Sequence, residues 1–244
     1  MKARRSHMAP APIYARRQLA AIAERWDQKA QTWDQALQEP DCHLNEDEAY
    51  QRFLSEIRGV IDARRAFCAA HGVIDAGCGT GTVLAQVLPF FAWGAGVDLS
   101  LEMIRQAQAK SLSNARFLVG DSFQLSSLCP PAGAVVSRGI LLSHYGPKQG
   151  KRLLQSARAT LLPGGFAVFD FLNEAARTRY QHRPQAKTFY TAAQLLAMAR
   201  HAGFSRATVL GEERRRVLLL LAEVSCSATV CALPGAMQCP LSQL

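Results

Sequence analysis

The sequence predicts a doubly wound α/β fold: a seven-stranded, mostly parallel sheet with one antiparallel edge strand and an N-terminal helical cap. Three observations carry this expectation. From Val73 onward, short apolar runs alternate with stretches of helical spacing, the pattern of β/α units on a parallel sheet. Val73–Val83, VIDAGCGTGTV, joins an apolar strand to a helix through Gly77, Gly79 and Gly81. Glycines in such a turn permit unusual backbone angles and let a ligand lie against main-chain N–H groups at a helix N-terminus. Finally, the last two apolar runs are separated by only a few residues, as in a hairpin.

Taken in order, the chain divides into four segments. Residues 1–12 read as a flexible N-terminus, with Ser6-His7-Met8 resembling a cloning junction. Residues 13–72 form the helical cap. Arg16–Leu37 has helical spacing and places Trp26 and Trp33 seven apart, on one face. Glu39–Glu48 is polar and reads as a loop or helix start. Ala49–Ala70 is a second helical stretch that Gly72 would terminate as a C′ residue. The core, 73–224, has strands at Val73–Ala76, Gly94–Asp98, Arg116–Val119, Ala134–Ser137, Gly165–Leu172, Ser205–Leu210 and Arg215–Val224. Helices lie at Thr82–Phe91, Leu101–Ala109, Lys148–Leu162 and Ala192–Ala202, the last with Thr191 as N-cap and Gly203 as terminator. Residues 225–244 carry two prolines and little periodicity, and are expected to be irregular.

Composition narrows the function classes. With 49% hydrophobic and 19% charged residues the chain reads as an ordinary globular protein, and no apolar stretch is long enough for a spanning helix. Seven scattered cysteines, an odd number with no CxxC pair, suggest reduced thiols and a cytoplasmic location. The formal charge of +9 raises nucleic acid as a partner. Setting aside Lys2, Arg4 and Arg5 of the terminal segment brings +9 down to +6, and the remaining basic residues are dispersed, as on a solvated surface.

The glycine loop departs from a dinucleotide fingerprint, because the third required glycine position is Thr82. It reads Asp75-Ala-Gly77-Cys78-Gly79-Thr-Gly81, and three further stations follow at successive strand ends. These are Gly96-Val97-Asp98-Leu99-Ser100, Val119-Gly120-Asp121-Ser122 and Ser137-Arg138-Gly139, with Leu161-Leu162-Pro163-Gly164-Gly165 leading into the fifth strand. In this order and spacing the sequence resembles the class I S-adenosylmethionine-dependent methyltransferases, which have a Rossmann-like fold. The resemblance covers roughly Val73–Val224. It implies S-adenosylmethionine as cofactor, its methionyl part held by the backbone of the glycine loop. It further implies that Asp98 accepts hydrogen bonds from the ribose hydroxyls and that Leu99 and Met103 flank the adenine. Asp121 would accept from the adenine amino group, with Ser122 or Phe123 close by. Ser137 and Arg138 would face the sulfonium and the substrate, and Trp33 or Trp26 would close over the cofactor.

Methyl transfer is an in-line displacement, so the protein mainly aligns nucleophile, methyl and sulfur. A base is needed only for a protonated acceptor. His144, in Leu141-Leu142-Ser143-His144-Tyr145-Gly146 past the fourth strand, is the candidate on pKa grounds, with substrate contact and a purely structural role as alternatives. Tyr145 would orient the acceptor. His43 and Asn45 would line the entrance, and Arg138 with Arg177–Arg183 would suit an acidic substrate. No metal is expected: Asp170 and Asn173 are not adjacent, and Arg138 stands where a carboxylate ligand would be wanted. The expectation is a methyltransferase acting on oxygen or nitrogen of a small molecule, capped by the N-terminal helices and the Asn173–Phe189 insertion. The alternatives are an RNA or tRNA methyltransferase, for which no separate RNA-binding module is evident, and a noncatalytic cofactor-binding protein.

Overall fold

The structure, a computed structural model, describes residues 16–36, 49–139, 141–180 and 184–225. The expectations for residues 1–12, His43, Asn45 and nearly all of the tail fall outside these residues. The described elements run α1 (Arg16–Ala36), α2 (Ala49–Asp62), α3 (Arg65–Ala70), β1 (Gly72–Ala76), α4 (Thr82–Val87), β2 (Trp93–Asp98), α5 (Leu101–Ala109) and β3 (Ala115–Val119). They continue with α6 (Leu125–Leu128), β4 (Ala132–Ser137), α7 (Pro147–Thr160), β5 (Leu161–Leu172), α8 (Ala192–His201), β6 (Arg206–Leu210) and β7 (Val217–Glu223).

The seven strands form one sheet in the order β3-β2-β1-β4-β5-β7-β6. The first five are parallel, and β7 runs antiparallel to both of its neighbours. The antiparallel strand thus sits one place in from the edge, which β6 occupies. Both faces are covered, which explains why the central strands read as unbroken apolar runs. Val73, Ala134, Val136, Phe166 and Val168 pack beneath α2, α3 and α4 through Phe53, Ile57, Cys68 and Leu84. Their alternates Ile74, Val135, Ala167 and Phe169 pack on the other face with Leu153, Leu154 and Leu195. Strand order reverses between β1 and β4, and open α/β sheets bind ligands at the carboxyl ends of such a pair.

Several boundaries differ from the sequence expectation for physical reasons. The second cap helix breaks at Ala63-Arg64, because Arg64 leaves helical geometry and its guanidinium pairs with Glu223 at the end of β7. Gly72 is not a left-handed terminator; it opens β1, and a Cβ there would run into the Trp93 ring. Helix α4 tightens into a 3-10 turn at Leu88–Phe90, where Pro89 lacks the N–H to continue. The final hairpin loop holds six residues, 211–216, because Asn173 Nδ2 donates to the carbonyls of Glu213 (2.6 Å) and Arg215 (2.9 Å) and holds them off the ladder. The α8 start follows expectation: Thr191 and Gln194 form a reciprocal capping box, and Gly203 takes φ +95° after its end.

Candidate active site

A cavity of about 540 Å³ opens at the carboxyl ends of β1, β2, β3 and β4. Its floor is the glycine loop. Gly77, Gly79 and Gly81 take φ +71°, +51° and +76°, so each occupies the left-handed region that an L side chain resists. Four of the loop's N–H groups, however, are used within the protein. Gly77 and Cys78 donate to the Val97 carbonyl (2.8 and 3.1 Å), Gly79 to Asp98 Oδ2 (2.9 Å) and Gly81 to the Cys78 carbonyl (2.9 Å). At Gly77 and Gly79 the loop therefore offers a ligand a surface without Cβ atoms, with the N–H groups of both residues engaged within the protein. Gly77, Cys78 and Gly79 line the cavity. Burial and the neighbouring Asp75 and Asp98 push the Cys78 thiol well above its ordinary pKa, so it stays protonated.

Asp98 ends β2 with both oxygens engaged: Oδ2 by the Gly79 N–H and Oδ1 by the Ser100 N–H (2.9 Å). A carboxylate has about four acceptor positions, so capacity remains toward the cavity. Burial raises its pKa, against the opposing effect of those two N–H bonds. Asp121, after β3, accepts from the Phe123 N–H through Oδ1 (3.0 Å), while its buried Oδ2 has no hydrogen-bond partner in the protein. A buried acceptor left unmade costs about 1–3 kcal/mol, so a donor from a ligand has an energetic place there. Leu99, Met103 and Ser122 line the wall between these two carboxylates and the floor.

Three residues expected at the cofactor do not line the cavity. Asp75 is 1% exposed and lies beneath the loop. Burial, with lesser contributions from Asp98 and Asp170, pushes its pKa up to about 7. Gly81 faces away, into Phe117, where a Cβ would meet the ring at 2.8 Å. Ser137 is fully buried and donates to the Ala76 carbonyl (2.7 Å), tying the end of β4 to β1.

The roof is α1. Its polar face carries Asp27 and Asp34, seven apart like the tryptophans. Asp27 accepts from Ser100 Oγ (2.5 Å) and the Glu102 N–H (3.0 Å) at the start of α5. Asp34 accepts from Thr80 and from Thr82 (3.3 Å) beside the glycine loop and pairs with Lys110 (2.6 Å). These bonds lay the aromatic face over the opening. Trp26 and Trp33 meet edge to face at 5.4 Å, both line the cavity, and Trp33 Nε1 stands 3.6 Å from where a Cβ on Gly79 would be.

The far wall comes from the segments after β4 and β5. Arg138 lies over the Tyr50 ring at 4.7 Å. His144 and Tyr145 line the cavity; Tyr145 packs edge to face on Phe123 at 4.9 Å. The 173–189 insertion is fastened to this wall. Ser143 Oγ accepts from the Leu172 N–H and its carbonyl from the Thr188 N–H (both 2.8 Å), while the Tyr190 hydroxyl donates to the Tyr145 carbonyl (2.6 Å). That brings Lys187 Nζ to 3.0 Å from His144 Nε2 and 3.2 Å from Nδ1. Burial, then the charges of Lys187 and Arg25, push the His144 pKa down to about 3, so the ring is neutral at physiological pH.

Arg177 and Arg179 do not reach this wall. Arg177 pairs with Glu174 and stacks on Phe189, and Arg179 donates to the Arg214 carbonyl. The sequence reading missed Arg25, Lys29, Tyr50, Thr80 and Lys187, all of which line the cavity. Arg25 and Lys29 flank Trp26 at helical spacing, a signal in principle readable. Lys187 sits in an irregular insertion with no local signature. Among the described residues no three His, Cys, Asp or Glu side chains gather as a metal site. Asp170 Oδ2 instead accepts from the Gly139 N–H (2.9 Å), bracing the segment after β4.

Comparison with known proteins agrees with this geometry. Residues 73–165 match the family model described as a methyltransferase domain. No curated protein matches in sequence. Similar solved structures include magnesium protoporphyrin IX methyltransferase from Synechocystis with bound S-adenosylhomocysteine, at TM-score 0.68 and 16% identity, covering 84% of this chain and 99% of that one. A DhpI complex with S-adenosylhomocysteine aligns at TM-score 0.61 and 18% identity, covering 87% and 99%. The CcbJ methyltransferase from Streptomyces caelestis aligns at 0.61 and 17%, covering 82% and 97%. Residues 73–165 therefore match a methyltransferase domain, and the fold around them is shared with methyltransferases crystallised with S-adenosylmethionine or S-adenosylhomocysteine.

Proposed function

We propose that the protein transfers the methyl group of S-adenosylmethionine to an oxygen or nitrogen atom of a small-molecule acceptor. The observation that carries this reading is the continuity of one roofed cavity, from the carboxylates Asp98 and Asp121 to the histidine–lysine wall. Its size lies within the usual range of small-molecule pockets, about 300–1,000 Å³, and α1 restricts its opening.

Asp98 would accept from the ribose hydroxyls, the orphaned Asp121 oxygen from the adenine amino group, and Leu99 and Met103 would hold the adenine between them. Gly77 and Gly79 let the methionyl part approach the floor, with Cys78 beside it and Arg138 and Trp33 close to the sulfonium. When bound, the cofactor supplies an electrophilic methyl, which bonds to the acceptor's lone pair as the carbon–sulfur pair returns to sulfur. Tyr145 would orient the acceptor. His144 is a weak base with its pKa at about 3, and efficient proton removal favours a base whose pKa lies near the working pH. Its role in this proposal is therefore to contact and position the acceptor as a neutral imidazole.

Calorimetry tests the donor site. Asp98→Ala is expected to weaken S-adenosylmethionine binding tenfold or more, the equivalent of about 1.4 kcal/mol, and unchanged affinity would overturn the assignment. Mass spectrometry of acceptor mixtures, read for products heavier by one CH₂, then identifies the acceptor. Turnover of RNA but of no small molecule would contradict the acceptor class.

A further inference from the structure

The two ends of the cavity carry opposite charge. Among the described lining residues the carboxylates are Asp98 and Asp121, both at the strand ends of β2 and β3. At the other end, three cations from two distant segments converge on one aromatic pair. Lys187 Nζ touches the His144 ring at 3.0 Å. The ring centroid of His144 lies 6.1 Å from that of Trp26. Lys29 Nζ stands 4.9 Å from the Trp26 centroid, and the Arg25 guanidinium 5.7 Å. All five residues line the cavity.

Like charges gathered around a half-buried cleft repel one another, and the repulsion is stronger where water is thin. Cation–π contact with Trp26 offsets part of this, by about 0.5–2 kcal/mol per contact. Lys187 Nζ lies against the His144 ring, and that ring is depressed in pKa by these same three charges, behind the effect of burial. An anion placed between Lys187 and the Arg25–Lys29 pair would relieve all three repulsions at once. The indole face of Trp26 beside it suits an apolar or aromatic body attached to that anion.

Resting on the methyltransferase reading above, we propose that the methyl acceptor is an acidic small molecule. Its oxyanion, a carboxylate or phosphoryl group, is seated by Lys187, Arg25 and Lys29 against Trp26 and His144. The charged end of the cavity thus selects the acceptor, while the Asp98–Asp121 end holds the donor. The compact cavity under α1 favours a free small anion over a polymer phosphate backbone.

The test uses the full chain saturated with S-adenosylhomocysteine and follows binding of three probes by calorimetry: benzoate, inorganic phosphate and neutral benzamide. Benzoate or phosphate is expected to bind at least tenfold more tightly than benzamide, and the stronger of the two identifies the anion class. Lys187→Gln is expected to abolish that preference while leaving S-adenosylhomocysteine affinity within twofold, and Lys187→Arg to retain most of it. Equal binding of charged and neutral probes would overturn the proposal. So would an equal loss of S-adenosylhomocysteine affinity in Lys187→Gln, which would assign the cations to the donor's own carboxylate. Displacement of the bound probe by a short single-stranded RNA, but not by excess of another small acid, would also overturn it in favour of a nucleic-acid partner. Failure of the wild-type chain to bind S-adenosylhomocysteine counts against the donor site itself, and so is distinguishable from failure of the anion site.

Discussion

Asp75 sits at the end of β1 with one oxygen lacking a hydrogen-bond partner, beneath a loop whose floor it supports. Burial raises its pKa from an ordinary 3.8 to about 7. A group raised in this way binds its proton more tightly folded than unfolded. Its contribution is therefore fully present below about pH 4 and is lost as pH rises toward 7. Each unit of displacement corresponds to about 1.4 kcal/mol, so the effect is large enough to measure. Asp75→Asn removes the charge, and its melting temperature relative to wild type is expected to climb between about pH 4 and pH 7 and then level off. A difference independent of pH would show that Asp75 is not strained by ionisation. His144 is displaced the opposite way for a base: burial and the nearby cations hold it neutral. In carbon-detected NMR its ring signal, identified by its loss in His144→Gln, is expected not to titrate between about pH 5 and 8. Lys187→Gln should move its titration upward, because one of the charges that depress it is gone. Titration of the wild-type ring near its ordinary value would contradict the burial and charge environment described for it.

At the scale of the element, α1 is a roof held by acidic pins. Asp34 illustrates which interaction matters. Its ion pair with Lys110 is half exposed, and such pairs contribute about 0–1 kcal/mol. Its hydrogen bond from Thr80 comes from a residue that is 2% exposed, and bonds to a charged group are worth about 1.5–3 kcal/mol. Burial raises the Asp34 pKa, but the bonds from Lys110 and Thr80 more than offset this and the carboxylate stays ionised. Asp34→Ala is expected to quicken amide exchange along α1 by about tenfold, the equivalent of roughly 1.4 kcal/mol of opening energy. Cofactor affinity should fall with it, because Trp33 loses its position over Gly79. Lys110→Ala, which leaves the Thr80 bond in place, should do much less; equal effects of the two variants would shift the credit to the ion pair. The tryptophan spacing on α1 is legible in the sequence. The aspartate spacing is equally regular, but its meaning depends on hydroxyls of Thr80 and Ser100 that only folding brings beneath it.

For the whole molecule, cofactor binding and stability are linked. A ligand that binds only the folded chain adds about 2.7 kcal/mol at a hundred times its dissociation constant. For a chain of this length, each kcal/mol raises the melting temperature by about 2–4 °C. S-adenosylhomocysteine at that excess is therefore expected to raise the melting temperature by about 5–10 °C, with Asp98→Ala showing less at the same ligand concentration. No shift in wild type would contradict the donor site. Among the described residues no helix is long and apolar enough to cross a membrane. The positive charge that first pointed to nucleic acid is partly explained by the cavity, where Arg25, Lys29, Arg138 and Lys187 gather.

The sequence by itself determined the β/α succession, the left-handed glycine loop and the acidic residues at the ends of β2 and β3. Each of these depends on spacing within a few residues, where backbone geometry and apolar periodicity act locally. The position of β7 inside the sheet, the burial of Asp75, Gly81 and Ser137, and the internal use of the loop's N–H groups were decided by tertiary packing. So was the charged end of the cavity. Arg25 and Lys29 come from the first described helix, and Lys187 from an insertion after β5 with no regular period. Their electrostatic coupling depends on distances of a few ångströms that exist only when α1 and that insertion close over the same strand ends.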